Sequence, residues 1–299
     1  MEWAVDARTS KRYQAAVVQF VSWVIDNQDD GETYEEFDEL LVEYIHELYE
    51  GGIGRSRAAT TISGIMHYLP ELKLHIPRSR RALKGWEKKE PSVPWPPITW
   101  DVCVAIACRL VQNGSRLAGL GCVLAFDCLL RVGELLNLRQ ADVIDSGDLR
   151  VNSGQRGMWL RLRHTKTGDN KSVQVQNPAV VSLLRELVRT TKDPRSKLFP
   201  YTADTYRRYF KAACAELRVS PDVVVHSLRH GGATFYLTDL GWAVEKITLH
   251  GRWATVESCR HYLQTCRALL SARAVEHVAM IGRVLASDLV RSLTLAQKH

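Results

Sequence analysis

Apolar residues recur at intervals of three and four along the first part of the chain. Val17, Phe20, Val21 and Val24 mark one helical face, and Phe37, Leu40, Leu41, Tyr44, Ile45 and Leu48 mark a second. After the Gly51-Gly52 break, Ile62, Ile65 and Met66 predict a third helix over about 57–68. Residues 1–76 therefore read as a small helical domain. Pro77, Pro91, Pro94, Pro96 and Pro97 interrupt the pattern, and six Lys/Arg between 78 and 89 make the stretch basic. That combination predicts an extended basic linker over 77–98. A larger domain follows over 99–299, with helices expected over 100–112 and 116–138. In WLRLRHT the period changes to two: Leu160, Leu162 and His164 share one face, Arg161, Arg163 and Thr165 the other. With TGDN as turn and KSVQVQ as return, this predicts a β-hairpin. Beyond Pro178 the pattern is helical again. It ends in a helix over about 268–296 that carries Val275, Val278, Ile281, Leu285, Leu289 and Leu293. The fold class expected is mainly α with a small β-hairpin or sheet, in two domains.

Composition narrows the class. With 299 residues, 45% hydrophobic and 24% charged, the chain can bury two cores. No apolar run reaches the roughly 20 residues that span a bilayer, and MEWAVDARTSKRYQ lacks the apolar centre of a secretion signal. An intracellular protein without a membrane partner is expected. Seven cysteines show no CxxC pair and sit mostly in apolar runs, so they read as reduced core residues, neither disulfides nor metal ligands. The net charge is +7, unevenly spread: residues 26–50 hold eleven carboxylates and no Lys or Arg, and residues 91–299 hold 28 Lys/Arg against 17 acids. Such segregation suits a face that meets phosphates, and equally suits ordinary solvated helices.

Three segments carry candidate chemistry. In LLRVGELLNLRQADV, Arg131 and Glu134 lie three apart within an apolar stretch, a spacing that lets the carboxylate orient the guanidinium. In HSLRHGGAT, His226 and Arg229 share one helical turn and His230 follows; imidazole with guanidinium suits a phosphodiester that gains charge during reaction. In HGRWATVESCRHYLQT, Trp253 and Tyr262 lie nine apart. Each segment alone is equally consistent with core or surface packing.

Their order is more specific. Arg131 with Glu134, a TKTG hairpin containing Lys166, His226-x-x-Arg229, then Trp253 and Tyr262 resembles the tyrosine site-specific recombinase (phage integrase) family, from about residue 8 to the end. The GRW before the final tyrosine is also similar to recombinases of DIRS-type eukaryotic mobile elements. The resemblance implies cleavage and rejoining of DNA without metal, ATP or other cofactor. Tyr262 would attack the scissile phosphate to form a 3′-phosphotyrosyl link. Arg131 and Arg229 would clamp its nonbridging oxygens. Lys166 would protonate the leaving 5′-oxygen, with Lys171 as the alternative. His226 would act as acid/base or phosphate ligand, supported by His230. Trp253 would donate its indole N–H, with Arg252 and His250 as competitors for that position. Tyr206, Tyr209 and Tyr236 compete as nucleophiles by chemistry alone, in surroundings that read as helix core.

The resemblance further implies a C-shaped clamp on double-stranded DNA with inverted-repeat sites. Dimers would form on one site and tetramers in the synapse, linked through the C-terminal helix, whose apolar face fits packing on its own domain equally well. Arg8, Lys11, Arg12, Arg55, Arg57, Arg80, Arg81 and Lys84 are the candidate DNA-binding residues, largely through phosphates, and Arg55 and Arg57, near a helix start, could reach base edges. A type IB topoisomerase, a telomere resolvase and a non-catalytic DNA-binding relic of the fold are the competing readings.

Overall fold

The computed structural model describes residues 5–27, 31–91, 93–146, 148, 157–165 and 168–295. The chain divides into two compact units, Met1–Val93 and Pro94–His299.

The first unit holds α1 (Ala7–Asp26), α2 (Tyr34–Glu50), α3 (Ser56–Tyr68) and α4 (Pro77–Lys89). Phe20, Leu41, Tyr44, Ile45, Leu48, Ile62 and Ile65 close its core, following the apolar spacing. Thr33 and Glu36 cap α2 reciprocally, each side chain bonding the other residue's backbone N–H. The expected extended linker is corrected here: residues 77–89 are a helix. Pro77 sits at its first position, where no N–H is needed. Asp38 of α2, 2% exposed, accepts the N–H groups of Arg78 (2.7 Å) and Ser79 (2.9 Å). Ile76 and Trp86 anchor the helix, the Trp86 ring standing edge-on to Tyr49. The basic run is thus the exposed side of a docked helix, and the unit ends near residue 93.

The second unit opens with α5 (Trp100–Gln112) and α6 (Arg116–Asp127), antiparallel and almost wholly buried. The helix expected to continue to 138 stops at Asp127. Leu129 takes a left-handed φ of 49°, and a short α7 (Val132–Leu136) restarts beyond it. A three-stranded antiparallel sheet follows in the order β1 (Val143–Ile144), β2 (Met158–Thr165), β3 (Gly168–Val175). Leu160 and Leu162 face the core while Arg161 is exposed, as the alternation requires; the His164 side chain is outside the description. Thr165 pairs with Gly168, so Gly168, Asp169 and Asn170 of the expected TGDN turn belong to β3; residues 166 and 167 lie outside those described.

Helices α8 (Pro178–Thr190), α9 (Ala203–Glu216), α10 (Val225–Thr238), α11 (Val244–Gly251) and α12 (Val256–Arg260) complete the frame. Gly232 lets α10 press onto the end of α6: a Cβ there would lie 2.2 Å from the Phe126 carbonyl oxygen. The single final helix expected over 268–296 is three: α13 (Thr265–Ala274), α14 (Glu276–Ala286) and α15 (Leu289–Leu295). Val278, Leu289 and Leu293 are buried in this unit's own core, whereas Ile281 is 49% exposed. Breaks at Val275 and Ser287 let the short helices wrap α5, which one straight rod could not do. Six of the seven cysteines are buried and free; Cys266 is exposed. No helix among the described residues is long and apolar enough to cross a membrane.

Candidate active site

The break after α6 builds the site. A left-handed residue turns its carbonyls out of the helical ladder, and buried carbonyls must find donors. Leu129 O accepts from Arg229 Nη1 and from Arg252 Nη2 (2.8 Å). Cys128 O accepts from Arg252 Nη1 at 3.0 Å. Asp127 O accepts from His250 Nε2 and the Tyr236 hydroxyl, both at 2.8 Å. The Asp127 carboxyl also receives the Gln176 and Asn177 N–H groups, tying the end of β3 to the same turn.

Arg131 follows the turn and sits at the N-cap of α7. Glu134 accepts its backbone N–H at 2.9 Å and its Nη1 at 2.8 Å. The spacing of three therefore works as predicted, though through a cap and not along a helical face. Arg131 keeps a 22% exposed side chain, whereas Glu134 is 3% exposed. The neighbouring arginines hold the Glu134 carboxyl below its usual range against its own burial.

Arg229 is fully buried on α10. Besides Leu129 O it donates to Gly251 O at 2.5 Å, and its Nε has no partner among the described residues. The guanidinium lies 4.3 Å from the Trp253 ring centre and 5.5 Å from that of Tyr262. Burial, with Arg252 and Arg131 nearby, makes it hold its proton less tightly than usual.

Tyr262 follows α12 and is partly exposed. Its ring stacks on His230 at 4.4 Å, stands 4.8 Å from Trp253 and meets His226 at 5.6 Å. The Trp253 Nε1–H is buried without an acceptor among the described residues, an arrangement native proteins rarely leave unexplained. Burial and the positive charge of Arg229 push His226 down to about 4, and burial with neighbouring His226 pushes His230 down to about 3. Both rings are therefore neutral at pH 7.

Of the predicted residues, Arg131, Glu134, His226, Arg229, His230, Trp253 and Tyr262 come together. Lys166 lies outside the described residues, and Lys171 pairs with Leu162 across the hairpin. His250 and Arg252, the competitors for the Trp253 position, are both engaged in internal bonds. His250 is bound to Asp127 O, and Arg252, 4% exposed with φ 59°, is spent on internal bonds. Tyr206 and Tyr236 are core residues bonded to Ala118 O and Asp127. In the first unit, Arg8, Lys11, Arg12, Arg57, Arg80, Arg81 and Lys84 are exposed. Arg55 pairs with Glu87 at 3.2 Å, and Arg80 donates to Lys73 O.

Sequence reasoning missed three supports. Arg252 bridges Glu134 to the turn. Gln264 Nε2 contacts His230 Nδ1 at 2.7 Å and Trp95 O at 3.2 Å. Thr234 Oγ1 meets the Tyr262 carbonyl at 3.2 Å. Only Arg252 had a signal, the GRW triplet, and nothing in the triplet says that its side chain points inward.

A profile of the phage integrase family matches residues 107–267, more than half of the chain. The integrase of Mycobacterium phage D29 is 30% identical over 125 residues, 35% of this chain and 32% of that protein. The integrase of Mycobacterium phage L5 is 32% identical over 126 residues, 36% and 32% respectively. The matched region thus spans about a third of the length of these curated relatives. Among solved structures, a lambda integrase(75-356) dimer bound to a COC′ core site has a TM-score of 0.60 at 14% identity, over 88% of this chain and 90% of that one. The Tn1549 transposon integrase in complex with transposon right-end DNA has 0.56 at 14% identity, over 91% and 95%. These structures share the fold. Because the profile match covers Arg131 through Tyr262 and more than half of the 299 residues, the chain belongs to the phage integrase family.

Proposed function

We propose that the chain is a site-specific DNA recombinase that cuts and rejoins strands through a covalent bond to Tyr262. The observation that carries this reading is the cluster around one phenol: a buried guanidinium, an unpartnered indole N–H and two neutral imidazoles within reach of its ring. A phosphodiester placed beside Tyr262 would meet Arg131, the most exposed cation of the cluster. Trp253 Nε1–H would donate to a nonbridging oxygen, and Arg229 would stabilise the charge that builds there. His226, neutral at pH 7, is fit to take the phenolic proton. The phenolate oxygen then bonds to phosphorus as the 5′-oxygen departs and takes a proton, from Lys166 in this reading. A 5′-hydroxyl from another strand reverses both steps, so the bond energy is conserved. No metal or ATP is required in this scheme.

The first unit, with α1 and α4 exposing arginines and lysines, supplies further phosphate contacts to double-stranded DNA in this reading. Paired sites with inverted repeats, dimers on one site and a tetrameric synapse belong to the same proposal. The test uses a nicked duplex from which the cleaved strand can diffuse away. Wild type should accumulate a protein–DNA adduct that resists denaturation, and Tyr262→Phe should accumulate none. Specific binding without an adduct would leave a DNA-binding relic in its place.

A further inference from the structure

The outward arginines of β2 belong to an arrangement apart from the nucleophile. Asp142 Oδ1 accepts Arg163 Nε at 2.7 Å and Arg161 Nη2 at 3.2 Å. Asp142 Oδ2 accepts the Arg139 backbone N–H at 3.1 Å. The Asp142 side chain is 1% exposed, yet Arg161 and Arg163 are 46% and 40% exposed. One buried carboxylate therefore orients two surface guanidiniums, while its charge cancels only one of them. The two open onto a recess of about 300 Å³ that Arg139 and Lys197 also line. Among the described residues, Lys197 Nζ meets only the neutral Asn137 Oδ1, at 3.3 Å, and the Arg139 guanidinium has no ion pair. Glu134, which orients Arg131, lines the same recess and is already paired with two arginines.

We infer that this recess is a second phosphate site, which takes a backbone phosphodiester of the bound duplex adjoining the scissile one. Four cations line the recess with two carboxylates, Asp142 and Glu134, in a concave setting where low-dielectric walls concentrate the field. The forks of Arg161 and Arg163 are held in place before any ligand arrives, which suits bidentate recognition of phosphate oxygens. Through Glu134 the recess adjoins the Arg131 site, so a strand lying along one reaches the other. The inference rests on the DNA reading above, and it adds contacts that neither the exposed arginines of the first unit nor the Tyr262 cluster provides.

The test measures binding of the full chain to a duplex from DNA flanking its gene, across a salt series. Arg139→Gln/Lys197→Gln removes two charges and leaves both arginine partners of Asp142 in place, so the fold is spared. The slope of log affinity against log salt should shallow by about two, near 0.9 per lost contact, with the thermal midpoint unchanged. Arg163→Lys keeps the charge and loses the fork; it should weaken binding with little change of slope. An unchanged slope and affinity in Arg139→Gln/Lys197→Gln overturns the site. So does a thermal shift with inorganic phosphate alone while DNA binding is unaltered, which marks a free-anion site. Adduct formation in the same samples separates the two readings. A shallower slope without an adduct sinks the recombinase and keeps the site; an adduct with an unchanged slope does the reverse.

Discussion

Arg252 Nη2 donates to Glu134 Oε2 at 3.0 Å, while Oε1 of the same carboxylate takes Arg131 Nη1 at 2.8 Å. A buried arginine thus sets the position of the partly exposed one. Arg252 also fills the carbonyls of Cys128 and Leu129, and bonds His250 O at 2.7 Å.

Arg252→Ala should therefore cost about 3–5 kcal/mol, since it uncovers a buried carboxylate and three carbonyls. Arg252→Lys, with a single ammonium, should recover only part of this. Urea unfolding of both variants measures the loss. A change below about 1 kcal/mol in Arg252→Ala would show that the turn stands without its guanidinium.

Trp253→Phe separates the indole N–H from the ring. The ring under Arg229 survives and the unpartnered donor goes, so the thermal midpoint should move little. Adduct formation should slow by about 10²–10³, the usual loss for one transition-state donor. Wild-type cleavage by Trp253→Phe would remove the indole from the chemistry and leave it as packing.

Burial depresses His226 and His250 to about 4 and His230 to about 3. For a depressed group, stability is fully present above the unfolded value near 6.5 and is lost as pH falls toward the folded one. Asp127 runs the other way. Burial raises it to about 6, so its contribution is present below about 4 and fades as pH rises through 6. Three histidines outweigh one carboxyl, and the thermal midpoint should fall between pH 7 and pH 5. His226→Gln should flatten that decline. A midpoint that rises over the same interval would contradict the neutral assignment of the rings.

The apolar spacing was enough to find α1, α2, α3 and α5, because each buries one regular face. It failed where tertiary partners intervene. Proline count suggested a linker over 77–98, yet Pro77 opens α4 because Asp38, thirty-nine residues earlier, caps it. Continuous apolarity from 116 hid the break at Leu129, whose left-handed turn is stabilised by Arg229 and Arg252 from one hundred residues onward. The site showed the same division. Arg131, His226, Arg229, Trp253 and Tyr262 could be found by their order along the chain, whereas the inward course of Arg252 and the hold of Gln264 on His230 exist only in three dimensions.

The central claim is that Tyr262 carries the DNA. Trypsin cuts after Arg260 and Arg267, so the nucleophile falls in the peptide HYLQTCR, residues 261–267. Adduct from the nicked duplex would be digested with nuclease and trypsin, and its peptides weighed. A nucleotide mass on that peptide, at Tyr262, is the predicted result. The same mass on a peptide bearing Tyr206, Tyr209 or Tyr236, or an adduct that persists in Tyr262→Phe, would contradict the account.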